Sequence, residues 1–431
     1  MSKHVLLPAL AAAILLPAGH VLAQSSPELP FAAAANCPAV STPLTLAHAL
    51  QLAQDHNPGL SAARHALAAS DGAVQQAAAW PNSQLAVEVE DTRRATRTTT
   101  YTLSQTVELG GKRRARTDAA RLEQDMARQQ LASRQSSLRS EVTLAWLEVL
   151  HNGQALALAR HSAVLAERMA DSAGRRVQAG KLAPLEQTRA QVAAASVALE
   201  VRQADSQWRI SSHRLRALLG RAACAGQPQG DGDVLPPLPE IGQVVQRAQA
   251  APMVRLAALE RDRRQALSAL ESSRQTPDLT LSLGSKRDEE AARNALVIGV
   301  SMPLPLFDRN QGNLRQALRL ADQARDDLMA AELHAQTAAA EGFEALRNAR
   351  AEALSLRQEV LPAARQAYAT ATRGFELGKF GLTEVLDAQR TLLDTQNRYL
   401  RALSAAHRAR AALDTLLGDD LTGAQDAIDK E

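Results

Sequence analysis

Hydrophobic spacing switches between two periods along this chain, and it does so twice. Leu46, Leu50 and Ala53 follow helical spacing and predict a helix over residues 44–79, with Thr45 at its start and Trp80-Pro81-Asn82 at its end. The period then falls to two. Leu85, Val87 and Val89 share one face of a strand over residues 84–90, opposite Gln84, Ala86, Glu88 and Glu90. Residues 98–109 alternate likewise, with Tyr101, Leu103, Val107 and Leu109 against Thr100, Thr102, Ser104, Thr106 and Glu108. A polar turn, 91–97, joins the two strands. From 112 to about 176 there is no proline, and glycine occurs only at Gly153 and Gly174. A helix of that length spans roughly 100 Å at ~1.5 Å per residue. Few globular helices are so long, which points to coiled-coil-like or barrel packing. Residues 180–184 break the run, and a second helix continues to 219.

The plan then repeats. A helix over 241–274 stops at Thr276-Pro277. A strand over 278–285 sets Leu279, Leu281 and Leu283 against Thr280 and Ser282, and a polar turn follows at 286–293. The next strand, 295–302, carries Leu296, Ile298, Val300 and Met302 on one face and ends at Pro303-Leu304-Pro305-Leu306. A very long helix over 310–373 is interrupted at Pro362, residues 378–381 break it, and a last helix reaches 417. Residues 174–220 align without gaps on 372–418 at a constant offset of 198. Gly180-Lys181 thus falls on Gly378-Lys379, Glu186 on Glu384, and Leu218-Leu219-Gly220 on Leu416-Leu417-Gly418. The expected organisation is a tandem of units, 44–220 and 241–418. A Gly/Pro/Asp-rich linker, 221–240, joins them; 24–43 is an irregular lead-in and 419–431 a flexible tail.

Composition adds the compartment. Residues 1–23 read as a secretory signal: Lys3 and His4, then the short apolar run 5–16, then Val21-Leu22-Ala23 before a cut at Gln24. No later run is apolar enough for a spanning helix, which leaves a β-barrel as the route into an outer membrane. Hydrophobic residues make up 45% of the chain but aromatics only 3%, which suits long Ala-rich helices rather than a thick globular core. The net charge of +3 comes from interspersed signs. Those are solvated helix faces, so no nucleic-acid partner is expected. Cys37 and Cys224 each precede one unit, and an oxidising compartment permits a disulfide between them; the alternative is two free thiols.

Four strands, each with one apolar face, cannot close a barrel, since spanning barrels start at about eight strands. Left open they would present unpaired edges to lipid. Several protomers contributing four strands each resolve both problems, and the same oligomer lets the long helices pack into a tube. A soluble coiled-coil scaffold with two decorative hairpins explains the helices but not the signal or the matched strand faces.

Particular stretches match a family. Leu44-Thr45-Leu46 with Asn57-Pro58, Ala79-Trp80-Pro81-Asn82, Gln105-Thr106-Val107-Glu108-Leu109-Gly110-Gly111-Lys112-Arg113 and Pro303-Leu304-Pro305-Leu306-Phe307-Asp308-Arg309-Asn310-Gln311-Gly312 resemble the TolC-like outer-membrane efflux channel family. The resemblance runs from about Leu44 to Gly418. The Trp-Pro-Asn and Glu-Leu-Gly-Gly-Lys-Arg forms are most similar to its heavy-metal, cobalt–zinc–cadmium branch. It implies an α+β membrane protein that works as a homotrimer. Four strands per protomer form a shared twelve-stranded outer-membrane barrel, and the helices form a long periplasmic α-helical barrel. It also implies a periplasmic adaptor (membrane fusion) protein, a proton-driven inner-membrane RND pump, and contact with outer-membrane lipid. The chain would be a passive duct for heavy-metal cations and not an enzyme. A multidrug or type I secretion channel is the alternative within the family, and the periplasmic scaffold the alternative outside it.

Family positions give the candidate sites. The tips that meet the adaptor correspond to Gly180, Lys181 and Leu182, and to Gly378, Lys379, Phe380, Gly381 and Leu382. Physically, a glycine permits a tight reversal, and exposed Leu and Phe offer apolar contact. Glu384 and Asp387, three apart on one helix, correspond to acidic residues at the constricted entrance, where rings of carboxylates favour cations. The first unit has Glu186 but Arg189 at those places. Drug-exporting members latch the entrance with a tyrosine and an arginine, where this chain has Phe375 and Phe380. The ten histidines do not cluster in sequence and no metal-ligand spacing occurs, so no bound metal and no cofactor are expected. Gly110-Gly111-Lys112 lacks the flanking residues of a phosphate-binding loop.

Overall fold

The computed structural model describes residues 43–220 and 226–418. The expected signal segment, the lead-in up to residue 42, the tail 419–431 and both cysteines of the candidate disulfide lie outside the described residues.

The helix expected over 44–79 is two helices, α1 (Leu46–His56) and α2 (Pro58–Ala78). Pro58 forces the preceding residue out of helical geometry, and Asn57 is extended at φ −71°, ψ 119°. Asn57 then caps α2: its Oδ1 accepts from the Leu60 amide at 3.1 Å, while Nδ2 donates to the Leu218 carbonyl at 3.0 Å. The helix expected over 241–274 divides similarly into α5 (Ile241–Ala248) and α6 (Pro252–Ser273), with Pro252 in the first turn.

Strands β1 (Gln84–Glu90), β2 (Thr98–Val107), β3 (Leu279–Asp288) and β4 (Arg293–Ser301) form one antiparallel sheet in that order. β2 ends before residue 109 because Asp278 captures the chain there. Its Oδ1 accepts from the Leu109 amide at 3.1 Å and pairs with Lys112 Nζ at 2.6 Å. β3 runs past residue 285 because Lys286, Arg287 and Asp288 pair with Thr100, Thr99 and Thr98. The register lines up Leu85, Leu103, Leu283 and Ile298 across all four strands. The opposite face carries Gln84, Ser104, Ser282 and Gly299, and the row Glu88, Thr100, Lys286 and Ala295. One face is therefore largely apolar and the other largely polar, with β1 and β4 as open edges.

Below the sheet run α3 (Lys112–Gln178, 67 residues) and α4 (Pro184–Leu219) in the first half of the chain. The second half has α7 (Gln311–Ser355), α8 (Leu361–Glu376) and α9 (Leu382–Leu417). A π-helical segment, Leu356–Val360, joins α7 to α8. Pro362 lacks an N–H and its ring crowds the carbonyl four residues back, so the ladder widens there instead of breaking. α3 packs on α4 and on α9, α9 packs on α7 and α8, and α4 barely touches α9. The layer order is thus α4, α3, α9, then α7 with α8. Equivalent residues anchor two cores: Leu215 and Leu219 with Val142 and Trp146, and Leu413 and Leu417 with Val244 and Phe343.

The linker is bound across this layer. Leu44 bridges it, donating to the Gln227 carbonyl at 3.0 Å and accepting from the Gln229 amide at 3.2 Å. Trp146 Nε1 donates to the Leu44 carbonyl at 2.9 Å, and Gly230 lies so close on the indole that a Cβ would overlap it. Further along, His151 holds Gly232 at 2.8 Å, Arg350 holds the Pro236 carbonyl at 2.6 Å and Arg410 the Pro237 carbonyl at 3.2 Å. Residues 226–240 are a strap over α3, α9 and α7.

Candidate functional site

Burial follows fold position upside down in the sheet. Leu85 is 73% and Ile298 72% exposed, and Val87, Leu103, Leu283, Leu296 and Val300 are exposed beside them. A contiguous apolar face of this kind marks contact with lipid or another protein. At its helix-side end Trp80, Leu304, Leu306 and Phe307 are also exposed, and the Arg113 guanidinium stacks 4.0 Å from the Trp80 ring centroid.

The two hairpin tips are built alike. Gly180 has φ +67° and Gly378 φ +70°, which favours glycine at both positions. Gly180 donates to the Val177 carbonyl at 2.9 Å and Lys181 to Arg176 at 2.8 Å; Gly378 donates to Phe375 at 3.1 Å and Lys379 to Gly374 at 2.8 Å. Both are Schellman terminations. The recurrence of glycine therefore has a local cause, the left-handed residue that ends each helix, whereas nothing in the turn demands the lysine. The apolar tip residues part company. Leu382 is 2% exposed, and with half-buried Leu182 it knits the hairpins together against Ala173, Ala190, Ala371 and Val385. Outward-facing apolar surface comes instead from Phe380, 46% exposed, and from Leu377 and Leu185. Of the two phenylalanines at the latch positions, Phe375 is buried beneath the Arg176 guanidinium, 4.3 Å from its ring centroid. Phe380 lies over Gly374, where any Cβ would overlap its ring. Gly381 is the extended cap of α9.

Glu384 and Asp387 are both exposed but line different clefts. Glu384 sits in the first turn of α9, where the helix dipole favours a carboxylate, and faces a groove with α8 beside Phe380 and Thr370. Asp387 faces α4 in a cleft of about 720 Å³ that also holds Arg189, Arg390 and Asp394. In the first half Glu186 is paired with Arg189 at 2.9 Å. One protomer thus presents mixed charge around Asp387. The same α4–α9 seam continues upward through a cleft of about 530 Å³ containing Glu200, Arg401 and Arg408. A third, of about 400 Å³, contains Glu141, Glu148 and Arg214.

At the top of the seam two histidines meet, which no spacing in the sequence announced. The His151 and His407 ring centroids are 6.0 Å apart. Burial, more than any other influence, lowers the pKa of His151. Burial and then neighbouring His151 hold His407 down to about 4. Both imidazoles are neutral at pH 7. Among the described residues no group of three or more His, Cys, Asp or Glu is arranged to hold a metal.

The family model for outer membrane efflux proteins matches residues 49–221 and 244–419. The chain is 44% identical over 379 residues to the cobalt-zinc-cadmium resistance protein CzcC of Cupriavidus metallidurans, covering 87% of this chain and 90% of that one. Among solved structures it is similar to the outer membrane protein VceC of Vibrio cholerae, at 20% identity and TM-score 0.73, covering 87% and 96% of the two chains. It is also similar to the outer-membrane channel OprN, at 19% identity and TM-score 0.72, covering 87% and 90%. Those two likenesses concern fold alone, and they agree with the long helices and the single small sheet. The sequence matches span both halves of the chain, which belongs to the outer membrane efflux protein family.

Proposed function

We propose that three copies of this chain assemble into an outer-membrane duct that carries heavy-metal cations out of the periplasm, fed by an adaptor and a proton-driven inner-membrane pump. The observation that carries the reading is the sheet: four strands, one exposed apolar face, two open edges. Joining β4 of one copy to β1 of the next removes every edge and turns the apolar face to lipid. In the helical layer the flanks would meet in the same head-to-tail sense. Leu185, Val192 and Leu199 recur every seven residues along α4 and are exposed, as is Val360 at the head of α8 on the other flank. A seven-residue apolar stripe is the seam of a coiled coil, so this part of α4 packs on α8 of the neighbouring copy. The cargo rests on kinship with the cobalt-zinc-cadmium resistance protein. The tips, with Lys181, Lys379 and exposed Phe380, are where the adaptor docks. Three copies of Glu384 and Asp387 line the entrance, where Arg189 and Arg390 temper the selection for cations.

Deleting the gene tests the cargo: sensitisation to zinc, cobalt and cadmium is expected, and sensitivity to drugs alone overturns it. The purified protein tests the duct. Conductance in planar bilayers should favour cations, and Asp387→Asn should lower that preference. Unchanged selectivity removes Asp387 from the pore, and release from cells without detergent would leave only a periplasmic scaffold.

A further inference from the structure

The strap fixes the tautomer of one imidazole and runs beside a second from the other half of the chain. His151 Nε2 lies 2.8 Å from the Gly232 carbonyl, which can only accept, so that nitrogen carries the proton. Its Nδ1 lone pair is directed at Ser404 of α9, whose hydroxyl donates at 2.8 Å. The Val234 carbonyl, two residues further along the strap, acts on the His407 ring in the sense that favours a proton there. His407 Nε2 is buried and has no hydrogen-bond partner among the described residues. An orphaned buried nitrogen in a native fold calls for an occupant. Metal-ligating histidines characteristically donate their other N–H to a backbone carbonyl, as His151 does to Gly232, and the bare buried nitrogen of His407 lies beside it.

We propose that His151 Nδ1 and His407 Nε2 form a binding site for a borderline divalent cation such as Zn²⁺ or Co²⁺, where the strap crosses α3 and α9. His151 Nδ1, on α3, meets α9 at Ser404, one turn from His407. Metal–nitrogen bonds of about 2.0–2.1 Å, bent at the metal, fit between rings whose centroids are 6.0 Å apart. Ser404 turns its hydroxyl aside to release Nδ1. Water completes the shell, for which the adjoining cleft of about 400 Å³ has room. Glu148 and Asp233 offset the cation's charge near His151, and Arg408 opposes it. With two protein ligands the site binds reversibly, as a stopping place and not a store.

The full-length protein, purified in detergent and stripped with chelator, is titrated with Zn²⁺ by calorimetry and with Co²⁺ by absorption. One site per protomer is expected. His407→Gln should weaken it at least tenfold, while Ser404→Ala, which bares His151 Nδ1, binds at least as tightly as the parent. Zinc-edge X-ray absorption on the unsubstituted protein should report two imidazoles, a result that no folding defect in a variant can mimic. Fewer than two imidazoles, or equal binding by the parent and His407→Gln, overturns the site. The measurement uses the isolated protein, so it stands or falls apart from the cargo assignment.

Discussion

Leu199 tests the assembly most directly. It is 60% exposed on α4, so the single chain gives it little to pack against. Complete burial of a leucine is worth about 1.5–3 kcal/mol, and the share still exposed here corresponds to about 1–2 kcal/mol per subunit contact. A closed ring of three repeats the contact three times, so Leu199→Ala should weaken the trimer by about 3–6 kcal/mol. At about 1.4 kcal/mol per decade, that is a loss of roughly 10²–10⁴-fold in the association constant. Protomer stability should hardly change. Leu215, 3% exposed on the same helix, is the control. Its replacement by alanine should cost the protomer about 2–5 kcal/mol. Sedimentation equilibrium in detergent and the heat-labile trimer band read assembly, and denaturant unfolding reads the protomer. If Leu199→Ala leaves assembly intact, or destabilises the protomer as Leu215→Ala does, the stripe is not a subunit seam.

Three further substitutions probe other parts. Ile298→Arg places charge on the apolar face of β4 and should cost about 2–4 kcal/mol if that position is near the bilayer midplane; outer-membrane incorporation should fall, while Thr100→Arg on the opposite face is tolerated, and equal behaviour of the two would refute the facial assignment. Gly374→Ala drives a methyl into the Phe380 ring, with an overpacking cost of about 1–3 kcal/mol; limited proteolysis should accelerate at the second tip alone, and equal cleavage at both tips would count against it. The carboxyl of Glu260 is held below its usual pKa of 4.5, first by its hydrogen bond with Arg263 and then by Arg264. A lowered folded pKa means stability that is complete above about pH 4.5 and lost as pH falls through the folded value. Glu260→Gln should therefore flatten the acid limb of the stability profile, and an unchanged limb would show that the cluster contributes nothing.

Local signals were legible and distant ones were not. Alternation at Leu85, Val87 and Val89 gave β1 its bounds, because a strand face is written in consecutive residues. The end of β2 was not, because the Asp278 carboxylate that captures Leu109 comes from the other half of the chain. The break at Asn57-Pro58 was hidden inside the helix expected over 44–79, because helical periodicity continues on either side of it. Residues 226–240 read as a free linker because their bonds run through backbone carbonyls, which leave no mark on residue choice. His151 and His407 meet only through the packing of α3 on α9, so no local spacing could pair them. Glu384 and Asp387 share a helix side, but the neighbouring helices divide it into separate clefts.

The strap occurs once per chain, although the hairpins it crosses occur twice. In the proposed trimer, three copies of two similar hairpins would approximate sixfold symmetry, and the strap would lower it to threefold. It fastens α3 to α9 and would leave the boundary between α4 and the next copy's α8 without a girdle. Every second joint around such a tube is therefore riveted, and the alternating unriveted joints are where its bore would dilate.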